Sequence, residues 1–123
     1  MLAVGEHLLG QVEDLLLKVT CGFAGGIGCT YQDVCGALSS GTMLIGALYG
    51  RTDSNIDDKV CQKLAAEYRD RFNRLLGSVY CHRLRANGYG SEGGEPCSVL
   101  VERAAYVLLN LLDQVDEIKT QPV

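Results

Sequence analysis

Cysteine is the residue type in this sequence that is best suited to chemistry. A thiolate is a nucleophile, a metal ligand and one half of a redox couple, so cysteines that converge in a fold can exchange electrons or hold a metal. No C-x-x-C pair occurs, which argues against a thioredoxin motif and against a zinc knuckle. The cysteines are Cys21, Cys29, Cys35, Cys61, Cys81 and Cys97.

Two of these cysteines have sequence neighbours that favour a thiolate. Cys97 follows Pro96, and proline is common at the first position of a helix, so Cys97 is predicted in a first turn, where the helix dipole stabilises negative charge. Cys81 lies, by sequence, close to a histidine and three arginines: His82, Arg83, Arg85 and Arg103. For any single cysteine the alternative is a small buried apolar side chain. We assign Cys61, which falls on a packed helical face, to the core.

A glycine-rich segment at 22–28 precedes the Cys29–Cys35 region. It predicts a tight turn. Its glycines Gly25, Gly26 and Gly28 could also bring free N–H groups close to a small ligand. The segment lacks the last glycine of G-x-G-x-x-G and follows a helix rather than a strand, so a dinucleotide site is not expected.

Composition limits the classes of partner. The net charge is -4 and tryptophan is absent, which argues against a nucleic-acid interface. The uncharged stretch 34–50 is short for a membrane span and contains hydroxyl side chains, so a buried helix is the better interpretation. No secretory leader is evident, and we expect one cytoplasmic domain over residues 1–123.

The cysteines must be positioned by helices, because apolar residues recur with helical rather than alternating spacing. The pattern predicts an all-α, single-domain bundle of four main helices plus one short helix. Capping boxes at Thr30–Asp33 and Ser54–Asp57 would open two of them. The bundle packs around the Gly-rich central helix, and the loop 87–95 could cover a site. The predicted helices are 3–20, 31–50, 55–76, the short 79–84, and 96–118.

Several stretches, in the same order along the chain, resemble those of a known family. They are 22–28, 35–41, 48–50, 71–72, 77–78 with Cys81, and Cys97 with 100–101 and 104–105. Over about residues 20–110 the chain resembles the C_GCAxxG_C_C family, which is small and helical. Redox or metal-cluster function is inferred for that family from its cysteine pattern. A similar module occurs in a split-Soret type of cytochrome.

The resemblance implies that Cys35, Cys81 and Cys97 are the site cysteines. The Gly-Cys-Ala of the family name appears here as Cys-Gly-Ala at 35–37, and the family's leading cysteine has no clear match. Cys29 is the favoured fourth member, with Cys21 as the alternative.

Three functions stay open at this point. One is electron transfer or thiol–disulfide exchange by Cys35, Cys81 and Cys97 with a redox partner protein. The second is binding of zinc or an iron–sulfur cluster by Cys29, Cys35, Cys81 and Cys97. The third is a structural, homo-oligomerising helical protein in which the cysteines are core residues.

Overall fold

The computed structural model describes residues 1–120. Within them the chain is all-α, as predicted, with no named strand and two isolated β-bridges. No helix in this part of the chain has the length and apolar character to cross a membrane. Residues 1–120 form seven α-helices and one 3₁₀ helix, Cys21–Phe23, which directly follows α2. The α-helices are α1 (Leu2–Leu9), α2 (Asp14–Thr20), α3 (Gly36–Tyr49), α4 (Lys59–Leu76), α5 (Cys81–Ala86), α6 (Cys97–Asp113) and α7 (Val115–Lys119).

Helices α3, α4 and α6 pack against one another and form the core. Helix α4 is clearly amphipathic, because its buried side chains recur every four residues along one face. It ends where predicted, at Gly77, whose φ of 89° is the left-handed conformation typical of a helix C-terminus. The most deeply buried large side chains are Leu44, Ile45, Leu64, Tyr68, Phe72, Leu108 and Leu111.

The Gly-rich helix α3 is shorter and more exposed than its sequence predicts. It begins at Gly36 rather than at residue 31, because the preceding residues form a left-handed turn. The Thr30–Asp33 capping box is therefore wrong: the Thr30 hydroxyl donates to the carbonyls of Gly26 and Ile27. Only one side of α3 is buried, while Thr42, Ala47 and Leu48 are exposed.

Two predicted helices are each divided in two. The first breaks after α1 at Gly10, whose φ is 78°, and the last breaks at Gln114 between α6 and α7. The spacing of apolar residues does not reveal such breaks. As a result, the sequence predicts Leu15 and Val19 on a buried face, but they are 69% and 48% exposed. Helix α4 begins at Lys59 instead of residue 55, and the Asp57 carboxylate accepts from the Lys59 backbone N–H rather than pairing with Ser54.

Candidate functional site

Three cysteines stand at the starts of three different helices. Cys35 is the N-cap residue of α3, Cys81 is the first residue of α5, and Cys97 is the first residue of α6. The prediction that Cys97 lies in the first turn of a helix is confirmed, whereas Pro96, predicted as the first helical residue, is the N-cap. A helix start presents free backbone N–H groups and partial positive charge, and both stabilise a thiolate.

A short backbone ladder holds two of these helix starts together. Val34 and Tyr80 form an isolated antiparallel bridge. The N–H of Cys35 donates to the Val79 carbonyl at 2.8 Å, and the N–H of Cys81 donates to the Asp33 carbonyl at 2.9 Å. The two cysteines are far apart in sequence, yet this ladder fixes their relative position at the backbone.

The three cysteines line one cavity of about 430 Å³, and Cys21 lines it with them. The wall behind the thiols is apolar and contains small side chains from α3 and α6. The aromatic ring of Tyr68 and the guanidinium of Arg85 also face the cavity. The small and aliphatic lining residues include Ala37, Gly41, Leu44, Leu84, Leu100, Ala104, Ala105 and Leu108.

A left-handed turn closes one side of this site. Residues 25–29 all have φ between 57° and 61°, and this run includes the non-glycine residues Ile27 and Cys29. Each L-residue in that conformation costs roughly 1–2 kcal/mol, so tertiary contacts must hold the turn. Gly26 supplies one such contact: a Cβ there would lie 2.5 Å from the Cβ of Cys81. A side chain at residue 26 would therefore force the turn away from Cys81.

Cys35 is the most buried thiol of the site. Burial raises the pKa of the Cys35 thiol, and the nearby backbone N–H groups of Ala37 and Leu38 oppose that rise. Negative charge on Cys81 or Cys97 raises the pKa further.

Burial likewise raises the pKa of the Cys81 thiol. The Cys97 thiolate adds to this rise, Arg85 opposes it, and Cys29 adds a smaller effect of the same sign as Cys97. Thiolates at Cys35, Cys81 and Cys97 therefore repel one another. Forming an S–S bond, or binding a positively charged group between them, would remove that repulsion.

Arg85 contacts two segments that border the site, the end of the left-handed turn at Tyr31 and the Gly-rich loop 87–95. Its guanidinium lies 4.2 Å from the centroid of the Tyr31 ring, and its Nη1 donates to the Gly90 carbonyl at 2.8 Å. Gly90 in turn packs directly against the sulfur of Cys97, which leaves no room for a Cβ. The loop 87–95 therefore lies against Cys97 and leaves it exposed, and Tyr89 from the same loop lines the cavity.

The comparison with family models gives one match. The family described as "Putative redox-active protein (C_GCAxxG_C_C)" matches residues 1–111. The chain belongs to this family. No curated protein and no solved structure matches the chain.

The chain reproduces the family's cysteine pattern only in part, because Cys-Gly-Ala stands at 35–37 where the family name has Gly-Cys-Ala. The structure brings Cys35, Cys81 and Cys97 to one cavity, as the resemblance implies. Cys29 is exposed and its sulfur lies over Gly25, so it faces the turn, while Cys21 lines the cavity. A ligand role for Cys29 stays a prediction. All six cysteines are free thiols, and half-buried Cys61 packs against the core, away from the site.

The three candidate ligand-binding glycines have different environments. Gly25 lines the cavity, Gly26 packs against Cys81, and Gly28 has no neighbour near its Cβ position. His82 is exposed, and the centroid of its ring lies 6.0 Å from that of Tyr80. In residues 1–120, no three cysteine, histidine or acidic side chains are grouped so that they could hold a metal ion. The thiols as they stand therefore do not fit a zinc site.

Sequence reasoning did not place Tyr68 at the cavity or predict the left-handed turn, and it favoured Cys29 over Cys21, which the structure places on the cavity wall. Arg85 was identified only as one of three nearby positive charges. A partial signal for the turn was present, because four glycines in 22–28 exceed what one ordinary turn needs. No sequence signal links Tyr68, in the middle of α4, to a cavity between α3 and α6.

Proposed function

We propose that this chain is a redox protein in which Cys97 and Cys81 form a reversible dithiol–disulfide pair. The observation that carries the proposal is the convergence of three helix-start cysteines on one cavity. The site is positioned by the packing of α3 against α6 and by the backbone hydrogen bonds at the start of α5, rather than by one local motif. This is typical of a site that must hold its geometry.

The degree of exposure assigns different roles to the thiols. Cys97 is exposed and Cys81 is half-buried, whereas Cys35 is buried behind them. The proposed reaction begins when the Cys97 thiolate attacks a disulfide on a partner protein, forming a mixed disulfide and releasing one partner thiol. Cys81 then attacks the Cys97 sulfur, releasing the second partner thiol and leaving a Cys81–Cys97 disulfide. Two electrons and two protons pass to the partner, and a dithiol reductant restores the starting state.

Redox titration tests this assignment. The protein is equilibrated in glutathione buffers of graded potential, its free thiols are alkylated, and its disulfides are mapped by peptide mass spectrometry. We expect a Cys81–Cys97 disulfide that forms in one two-electron transition. Cys97→Ser and Cys81→Ser should each abolish that transition, and Cys61→Ser is the matched control that should keep it. If Cys81 and Cys97 never pair, or if Cys61→Ser has the same effect, the proposal is wrong.

A second candidate is an iron–sulfur cluster held by Cys35, Cys81 and Cys97. It is favoured by the N–H groups near the Cys35 sulfur, which are common around cluster ligands. It would require the thiols to move from their present positions, because no three of them within residues 1–120 are grouped to hold a metal ion. Such a cluster would supply one-electron transfer. Cys21 or Cys29 would complete the ligand set. Iron and acid-labile sulfide in stoichiometric amounts in anaerobically purified protein would support it, whereas iron-free protein with a Cys81–Cys97 disulfide would support the first candidate.

A further inference from the structure

A second cavity lies on a different face of α3 from the thiol cavity. It is an open groove of about 650 Å³ between α3 and α4. We call this surface the α3–α4 face. Among its lining residues, the large Phe23, Ile27 and Tyr80 project partly into solvent, while Ser39, Thr42 and Ala66 are small. The projecting side chains are 36%, 49% and 42% exposed, so large apolar groups stand next to a groove lined by small ones.

Gly46 continues this face one helical turn beyond Thr42. A Cβ at Gly46 would meet no heavy atom within 4 Å, so the packing of this chain does not require a glycine there. Glycine inside a helix costs roughly 1 kcal/mol relative to alanine. By contrast, Gly36 and Gly41 of the same helix lie against backbone or a ring, where a Cβ would clash. A close approach from outside the chain would explain the open position at Gly46.

Two opposite charges border the groove. Asp33 and Arg69 both line it. Neither takes part in any ion pair found within residues 1–120. The α3–α4 face thus combines the projecting side chain of Ile27, an apolar groove, and the opposite charges of Asp33 and Arg69. Such a surface is complementary to itself when two copies are related by a twofold axis.

We propose that the α3–α4 face binds a second copy of this chain, forming a twofold dimer. The Ile27 side chain of each copy lies in the groove of the other, and Gly46 allows the two α3 helices to approach closely. Asp33 of each copy lies opposite Arg69 of the other. The contact buries apolar surface that the single chain leaves in water, which favours association. This dimer is independent of the redox chemistry proposed above.

The dimer is tested by sedimentation velocity and by light scattering after gel filtration. Both are run from low micromolar to several hundred micromolar protein with excess reductant, so that intermolecular disulfides cannot contribute. We expect a mass twice the 13.3 kDa of the chain. Gly46→Glu should weaken dimerisation at least tenfold, because it places a charge at the closest approach. Leu75→Glu is the matched control: it puts the same charge on exposed α4 surface outside the α3–α4 face and should leave the dimer intact.

Charge reversal identifies the face more specifically. Asp33→Arg and Arg69→Asp should each weaken the dimer, and the double variant should recover it, since the two ion pairs are then rebuilt with their signs exchanged. Circular dichroism melts show that each variant is folded. A monomeric wild type at all concentrations overturns the proposal. So does a dimer that Gly46→Glu and Leu75→Glu affect equally, or a double variant no better than the two single ones.

Discussion

Cys35 occupies the N-cap of α3, a position where serine, threonine, asparagine or aspartate is usual. No side-chain hydrogen bond caps this helix, so the thiol gives up part of the stabilisation that an oxygen would supply. In exchange the site gains a buried sulfur beside the N–H groups of Ala37 and Leu38. At this position the residue type is explained by chemistry better than by helix formation.

The raised pKa of the Cys35 thiol predicts a loss of stability at alkaline pH. The unfolded chain loses this proton near the ordinary value of 9.0, while the folded chain holds it to higher pH. The stabilisation is therefore fully present below that value and is lost as pH rises through the folded pKa. The free energy of unfolding is measured with denaturant from about pH 7 to about pH 11, on both sides of the ordinary thiol pKa. It should fall less with rising pH for Cys35→Ser than for the wild type. Exposed Cys21→Ser is the control and should lose as much as the wild type; identical slopes for Cys35→Ser would contradict the assignment.

At the scale of elements, α3 has one face packed within the chain and one face open to solvent. One contains Gly41 and Ala37 and lies against the thiol cavity and the Tyr68 ring. The other contains Thr42 and Gly46 and is open. Glycine therefore occurs at Gly41 and at Gly46 for different physical reasons. The distance from each hypothetical Cβ to its nearest neighbour separates these reasons, and sequence spacing does not.

Two alanine substitutions in α3 should have opposite effects. A Cβ at Gly41 would lie 2.5 Å from the Tyr68 ring, and Tyr68 is almost fully buried. Gly41→Ala should therefore lower the free energy of unfolding by about 1–3 kcal/mol, despite the better helix propensity of alanine. Gly46→Ala, with open space around it, should raise it by about 0.5–1 kcal/mol. Urea unfolding at low micromolar protein measures both; equal effects would mean that Gly41 has no packing role.

At the scale of the whole molecule, the site depends on the packing of the bundle. Cys35 and Cys97 begin α3 and α6, two of the three helices that form the core. Cys81 is held by the Val34–Tyr80 bridge and covered by the left-handed turn. No local segment contains the site, so unfolding the core should separate the thiols.

Oxidation of the proposed pair should consequently stabilise the whole fold. A Cys81–Cys97 disulfide would close a loop of about 15 residues, which in the chain-entropy account adds about 3 kcal/mol. The melting temperature should rise by on the order of 10 °C on oxidation and fall back on reduction. Cys81→Ser and Cys97→Ser should show no such rise under the same oxidant. An equal rise in these variants would assign the effect to another cysteine.

The sequence by itself determined the helical class, the amphipathic face and end of α4, and the helix start at Cys97. These features depend on local periodicity, a C-terminal glycine and a proline before the helix, and all of them are short-range signals. It also carried the family pattern that includes Cys35, Cys81 and Cys97.

Only the tertiary structure decided which cysteines share a cavity and where the helices break. It placed Cys21 rather than Cys29 on the cavity wall, and it started α3 at Gly36 after a left-handed turn. The physical reason is that Ile27 and Cys29 adopt a backbone conformation that their own propensities oppose. Contacts with residues far away in sequence, such as Gly26 against Cys81, supply the energy that holds that conformation. Local sequence patterns contain no record of those contacts.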